Sequence, residues 1–138
     1  LPPRFTWLRD PFDTLVSLYA LWVSVWDRRP ILYETCDKDK YQDFPSFVEG
    51  NLSGASRYLG TDPAALDHFT FVGIAERSQA CYTALCKQLG IQSSQLPRTN
   101  AAPRPPDVDY DLREVHRELH PVEYEIYDYA LRTWQEKW

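Results

Sequence analysis

Two side chains near the start of the chain are of types that together hold an oxyanion: Arg9 and Ser17. Phe5, Trp7 and Leu8 make a short aromatic and apolar run of strand type. Asp10 and Pro11 end it, and Phe12, Leu15, Val16 and Tyr19 then recur at helical spacing. A strand feeding directly into a helix would aim Arg9, at the strand end, and Ser17, about two turns into the helix, at one spot. Pro11 suits the first helical turn, where its missing N–H would be unpaired anyway, and the helix start adds positive partial charge. Arginine contributes a planar fork that grips phosphate bidentately, and serine a neutral donor. A competing reading makes Arg9 a surface ion-pair partner of Asp10 or Asp13, and spacing alone leaves both open.

Other chemistry-bearing residues carry less. Cys36, Cys81 and Cys86 have no metal-ligand spacing, and an odd count is no disulfide framework; they are expected to be small buried apolar groups. His68 has no carboxylate or second histidine at a regular offset and is read as structural. No internal repeat, zinc motif, glycine-rich dinucleotide fingerprint or Ser–His–Asp order is present, and no glycine-rich loop with Lys and Thr.

The elements that must position these residues follow from apolar periodicity. After a helix from Pro11 through Trp26, the charged segment Asp27 to Asp43 reads as a surface loop. A short helix over Phe44, Phe47, Val48 and Leu52 is expected to end near Gly50, followed by a small-residue loop, Asn51 to Gly60, that contains Arg57 and Tyr58. Asp62 and Pro63 cap and start another short helix that ends near His68. Phe69, Phe71, Val72 and Ile74 predict a buried parallel strand, with Gly73 allowing a close approach. Ser78 is expected to cap a helix that turns Cys81, Leu85, Cys86 and Leu89 to one side and stops at Gly90.

Gln92 to Asp109 holds Pro97, Pro103, Pro105 and Pro106, four of the eleven prolines, and reads as a stiff connection. Asp111 to Leu119 predicts a helix broken at His120-Pro121. The final helix from Pro121 is apolar around most of its circumference and is expected to be buried on two sides, with Glu123, Glu125 and Asp128 favouring its positive end. Two strand–helix units predict an α/β chain whose ligands bind at the carboxyl ends of parallel strands. There Arg9 and the Ala75-Glu76-Arg77 turn would flank one crevice.

A length of 138 residues allows one domain or part of one. Apolar residues at 43% and aromatics at 14% exclude a disordered chain, and a net charge of -5 excludes general affinity for nucleic-acid backbones. No apolar run approaches the ~20 residues of a membrane span. The expectation is a soluble chain, with the cytoplasm favoured and the compartment left open. There is no methionine, which leads to the expectation of a fragment from which an upstream portion is missing.

The stretch LRDPFDTLVSLY resembles the 3′-phosphate-binding segment of sulfotransferases that use 3′-phosphoadenosine 5′-phosphosulfate. FVEGNLSGASRYLG (Phe47 to Gly60), FTFVGIAERSQACYTALCKQLGI (Phe69 to Ile91) and the ending HPVEYEIYDYALRTW are similar to the carbohydrate-type, membrane and bacterial branches of that family, so the likeness covers nearly the whole chain. It implies a P-loop-NTPase-like sulfotransferase fold, represented by a partial parallel sheet flanked by helices. Residues 1–138 would be the C-terminal part of a single domain, with the 3′-phosphate segment at 4–19, the Pro-rich loop at 92–109 and C-terminal helices at 111–138.

By the same resemblance Arg9 and Ser17 hold the nucleotide's 3′-phosphate, Arg57 lies near nucleotide or acceptor, and the 92–109 loop folds over the nucleotide and supplies a basic residue, Arg98 or Arg104. The Arg-Lys-Gly wording of the cytosolic branch is absent from that loop. Trp22, Trp26, Tyr33 and Tyr41 would be acceptor contacts, against a reading of Trp22 and Trp26 as core or cover. The implied reaction moves a sulfuryl group from 3′-phosphoadenosine 5′-phosphosulfate to a hydroxyl, expected to be a carbohydrate's, and leaves adenosine 3′,5′-bisphosphate. A Lys-containing phosphosulfate loop similar to PKTGTT and the family's His or Glu base are both missing. The expected partner is therefore the N-terminal portion of the domain, and the chain alone should not catalyse transfer. The alternative is a sulfotransferase-like module that has lost catalysis and docks a partner through its Trp and Tyr surface.

Overall fold

The computed structural model describes residues 2–28, 43–51, 53–97 and 103–134, over 25–28 the backbone alone. The chain is α/β and mostly helical. Two strands, β1 (Phe5–Leu8) and β2 (Phe71–Ile74), pair in parallel with register Phe5↔Phe71 through Leu8↔Ile74. The helices are α1 (Pro11–Arg28), α2 (Phe44–Gly50), α3 (Ser56–Leu59), α4 (Ser78–Leu89), α5 (Arg113–Leu119) and α6 (Pro121–Trp134). Single 3-10 segments occupy Pro63–His68, Ala75–Arg77 and Tyr110–Leu112. The chain divides into two compact units: Leu1–Asp10, Ala55–Thr99 and Val122–Trp138 form the first, Pro11–Gly54 and Asn100–Pro121 the second. No helix among the described residues is long and apolar enough to cross a membrane.

The first unit is built on the strand pair. All four β2 residues are buried, as a continuous apolar run in a parallel strand requires. Phe71, Val72 and Ile74 join Leu8, Leu66, Cys81, Ile126, Ala130 and Trp134 in one core. Trp7 lies opposite Gly73 in the register, and its indole covers the bare backbone: a Cβ on Gly73 would stand 2.3 Å from Trp7 Cε3. The close approach expected at Gly73 is therefore made by a ring rather than by backbone. Gly73→Ala should destabilise the protein by about 1–3 kcal/mol by forcing that ring off its rotamer. Thermal melts check this, and the penalty should shrink when Trp7 is also cut to leucine. An alanine variant that melts like the parent would mean the indole does not sit there.

Helix α4 packs on β2, where Cys81 joins the core of the first unit, and Cys81 and Cys86 are both buried as expected. Ser78 does not cap it. The 3-10 turn Ala75–Arg77 runs straight into α4, so Ser78 is itself helical and Arg77 holds the cap position without a side-chain bond. Gly90 ends the helix with φ 71°, and Ile91 N–H returns to Cys86 O at 2.9 Å. Leu89, expected on the apolar side, is 50% exposed, because the helix outruns the core at its last turn. The segment after Asp62 forms a 3-10 turn rather than an α-helix, capped as expected by Asp62 on Ala64 N–H at 2.9 Å. In α6, Tyr124, Ile126, Ala130 and Trp134 are buried, whereas Glu125, Asp128 and Arg132 form an exposed stripe. The expectation of a helix buried on two sides gives way to an amphipathic one.

The second unit has an aromatic core. Phe12, Leu15, Val16 and Tyr19 of α1 meet Phe44, Phe47 and Val48 of α2. Tyr19 stacks on Phe44 with centroids 5.2 Å apart and meets Phe47 edge-on at 4.9 Å. Asp43 caps α2, accepting from Ser46 N at 2.9 Å and Ser46 Oγ at 2.6 Å. These two bonds hold its carboxyl below the ordinary range. Asn51 closes α2 in the left-handed region, φ 48°. His120 Nε2 donates to Val48 O at 2.8 Å, tying the end of α5 to α2.

Candidate functional site

Helix α1 and the proline-rich loop together place the cluster best suited to bind an anion. Three prolines, at 103, 105 and 106, fix their own φ angles and stiffen the segment, and Val108 anchors it by packing on the aromatic core. Arg104 Nη1–H then donates to Ser17 Oγ at 3.3 Å. Just beyond, Tyr19 donates its hydroxyl hydrogen to the Asp107 carboxylate. The loop is thus held along α1 by a hydrogen bond from a cation at Ser17, one to an anion at Tyr19 and an apolar contact at Val108.

The Arg104 guanidinium is exposed, and among the described residues it forms no ion pair. Its recorded partner is a hydroxyl, which leaves most of its five N–H donors directed elsewhere. Arg113 shows the opposite state. It pairs with Asp13 at 3.1 Å and lies 4.9 Å over the Phe12 ring, a structural role. Asp13, one of the acids considered for Arg9, is therefore engaged by Arg113.

The Tyr19–Asp107 bond has a pH signature. Burial, then the Asp107 hydrogen bond and charge, with a smaller push from Asp43, raise the Tyr19 phenol far above its ordinary value of 10.0. A raised pKa means the stabilisation is complete below the ordinary value and is lost as pH climbs through the folded one. Tyr19→Phe should cost about 1 kcal/mol at neutral pH. It should also flatten the loss of stability above pH ~10, read by melts across alkaline pH and by tyrosinate absorbance.

In the first unit, Arg9 ends β1 and is exposed. Next to it, Asp10 N–H donates to Glu76 Oε1 at 2.5 Å. The crevice expected between Arg9 and Ala75-Glu76-Arg77 thus has a carboxylate drawn onto the Asp10 amide. Arg57, expected in a loop, stands on the single helical turn α3 and is exposed. Glu123, 3% exposed, accepts from Ser56 N at 3.2 Å and from the Ser56 hydroxyl.

Of the four residues predicted to meet the nucleotide, the structure brings Ser17 and Arg104 together in the second unit, while Arg9 and Arg57 belong to the first. Trp22 is half-buried and edge-on to Phe47 at 5.6 Å, in keeping with a covering role. Cys36, Tyr33, Tyr41, Arg98 and the Trp26 side chain lie outside the described residues. Asp107, Glu76 and Glu123 were not singled out as site residues. Each is an acid whose partner is distant in sequence, and only Glu123 had a legible local cue, its place in the first turn of α6. Comparison with protein-family models, with characterised proteins and with solved structures finds no match.

Proposed function

We propose that this chain supplies the 3′-phosphate side of the nucleotide site of a sulfotransferase that uses 3′-phosphoadenosine 5′-phosphosulfate and acts on a hydroxyl acceptor, a carbohydrate first. The observation that supports the reading is the Ser17–Arg104 contact, an exposed guanidinium resting on a neutral hydroxyl. A phosphate arriving there need not displace a carboxylate, and it finds a charge-assisted fork beside a second donor. Arg9 and Arg57 are the further candidates for nucleotide contact. The parallel strand pair and its helices would form part of a sulfotransferase fold.

Bound, the nucleotide carries the sulfuryl group. The chain's own residues hold its 3′-phosphate and neutralise charge there. The sequence has no Lys- and Thr-containing glycine-rich loop, so the residues fit the 3′-phosphate and do not supply contacts for the 5′-phosphosulfate. A partner polypeptide carrying that loop completes the proposed enzyme.

Calorimetric titration of the chain with adenosine 3′,5′-bisphosphate tests the reading, which expects saturable binding that weakens with added salt. No heat of binding would overturn it. That result would favour a docking module; among the described residues Phe5, Trp7, Tyr58 and Tyr110 are the exposed aromatics.

A further inference from the structure

We infer that Tyr19 is a positioning residue for Arg104: by taking the Asp107 carboxylate it keeps a neighbouring acid off the guanidinium and leaves Arg104 open to an outside anion. The inference rests on the function proposed above and adds the group that keeps its phosphate seat clear. Asp107 lies three residues after Arg104, and both are exposed. A carboxylate so near in the chain competes with any incoming anion for an arginine. Yet among the described residues the recorded partner of Asp107 is the Tyr19 hydroxyl, and that of Arg104 is Ser17 Oγ at 3.3 Å.

The local backbone sets this division. Val108 N–H donates to Pro105 O at 3.3 Å, closing a turn with Pro106 at its second position, where a fixed φ is favoured. Asp107 stands at the third position of that turn, and Val108 behind it packs on the aromatic core. Ser17 and Tyr19 are two apart on α1, and residues at that spacing do not share a helix face, so guanidinium and carboxylate are drawn to different sides of the helix. Tyr19 is 2% exposed, and Phe44 and Phe47 fix its ring and so aim its hydroxyl. Being a phenol, it binds the carboxylate without adding a charge of its own. Two other acids of the second unit are engaged as well: Asp109 accepts from Asp111 N–H at 3.0 Å, capping the Tyr110–Leu112 turn, and Asp13 pairs with Arg113.

The test is a double-mutant cycle on the full chain, reading calorimetric affinity for adenosine 3′,5′-bisphosphate in the parent, Tyr19→Phe, Asp107→Asn and the double variant. Tyr19→Phe keeps the core ring and frees the carboxylate, which should then pair with Arg104 and weaken binding by about twofold to fivefold, the range that an exposed ion pair reaches. Adding Asp107→Asn to that chain should restore the parent's affinity, because the competing charge is gone. A hydroxyl that served only to order the loop would cost the same in both backgrounds, since asparagine still offers it an acceptor. A loss that persists in the double variant, or a Tyr19→Phe chain that binds as the parent does, therefore overturns the inference and leaves the nucleotide reading intact. A parent chain that does not bind overturns both. If Tyr19→Phe fails to fold, Asp107→Asn alone decides. A charge already held away acts on the site only through screening solvent, so affinity should stay within about twofold of the parent, and any larger change in either direction overturns the inference.

Discussion

Replacing Arg104 with alanine is expected to weaken binding of adenosine 3′,5′-bisphosphate by about tenfold to a hundredfold, since hydrogen bonds to charged groups contribute about 1.5–3 kcal/mol. Fold stability should hardly change. Arg104 is exposed and, among the described residues, its hydrogen bond is the 3.3 Å one to Ser17, and surface substitutions of this kind usually stay within about 0.5 kcal/mol. That separation makes the experiment informative, because a lost affinity cannot be blamed on a lost fold. Arg104→Lys keeps the charge but not the fork and should fall between parent and alanine. Ser17→Ala removes a neutral partner and should cost less, about twofold to tenfold. The measurement is calorimetric Kd at two salt concentrations, alongside thermal melts. An Arg104→Ala chain that binds as the parent does would remove the phosphate role from this cluster.

Phe12→Ala should be among the most damaging core changes, costing about 3–5 kcal/mol, the range for deleting a buried aromatic. Phe12 is fully buried where α1 meets its neighbours. Its ring lies 5.8 Å from Phe44, 6.1 Å from His116 and 6.3 Å from Tyr110, and the Arg113 guanidinium sits 4.9 Å above it. Alanine would open a cavity, strip the cation–π contact and leave Arg113 resting on Asp13 alone among these two partners. Urea unfolding monitored by near-ultraviolet circular dichroism reads the loss, since the aromatic cluster of the second unit supplies much of that signal. Phe12→Leu keeps most of the volume and should cost much less. A loss under about 1 kcal/mol for the alanine would mean that the packing around this ring is loose. Because α1 also carries Ser17, the same variant should weaken nucleotide binding, in contrast to Arg104→Ala, which spares the fold.

Much of the architecture was readable from local pattern. The apolar runs at Phe5 to Leu8 and Phe71 to Ile74, the 3.6-residue recurrence through Phe12, Leu15, Val16 and Tyr19, and the stops at Gly50 and Gly90 all depend on neighbours a few residues apart, and each element formed. The local misreadings also have local causes. Ser78 was expected as a cap, but the preceding 3-10 turn had already brought the chain into helical dihedrals. The apolar circumference of α6 concealed an exposed stripe at Glu125, Asp128 and Arg132, because tyrosines at half-buried positions count as apolar in a periodicity while keeping one end wet.

The candidate site divides along the same line. Composition and periodicity by themselves determined that the chain is α/β and ordered, that Ser17 sits on the first helix, and that the Gln92 to Asp109 stretch is a proline-stiffened connection; resemblance named Arg104 within it. Only the tertiary structure decided that Arg104 rests on Ser17, 87 residues away, that Asp107 takes the Tyr19 hydroxyl, and that Glu123 is buried beneath the turn of Arg57. The physical reason is range. Helices and strands follow from propensities and side-chain spacing within one or two turns, whereas the partner of an arginine or a buried carboxylate is set by which distant segments the core brings together, and a linear pattern carries no term for that.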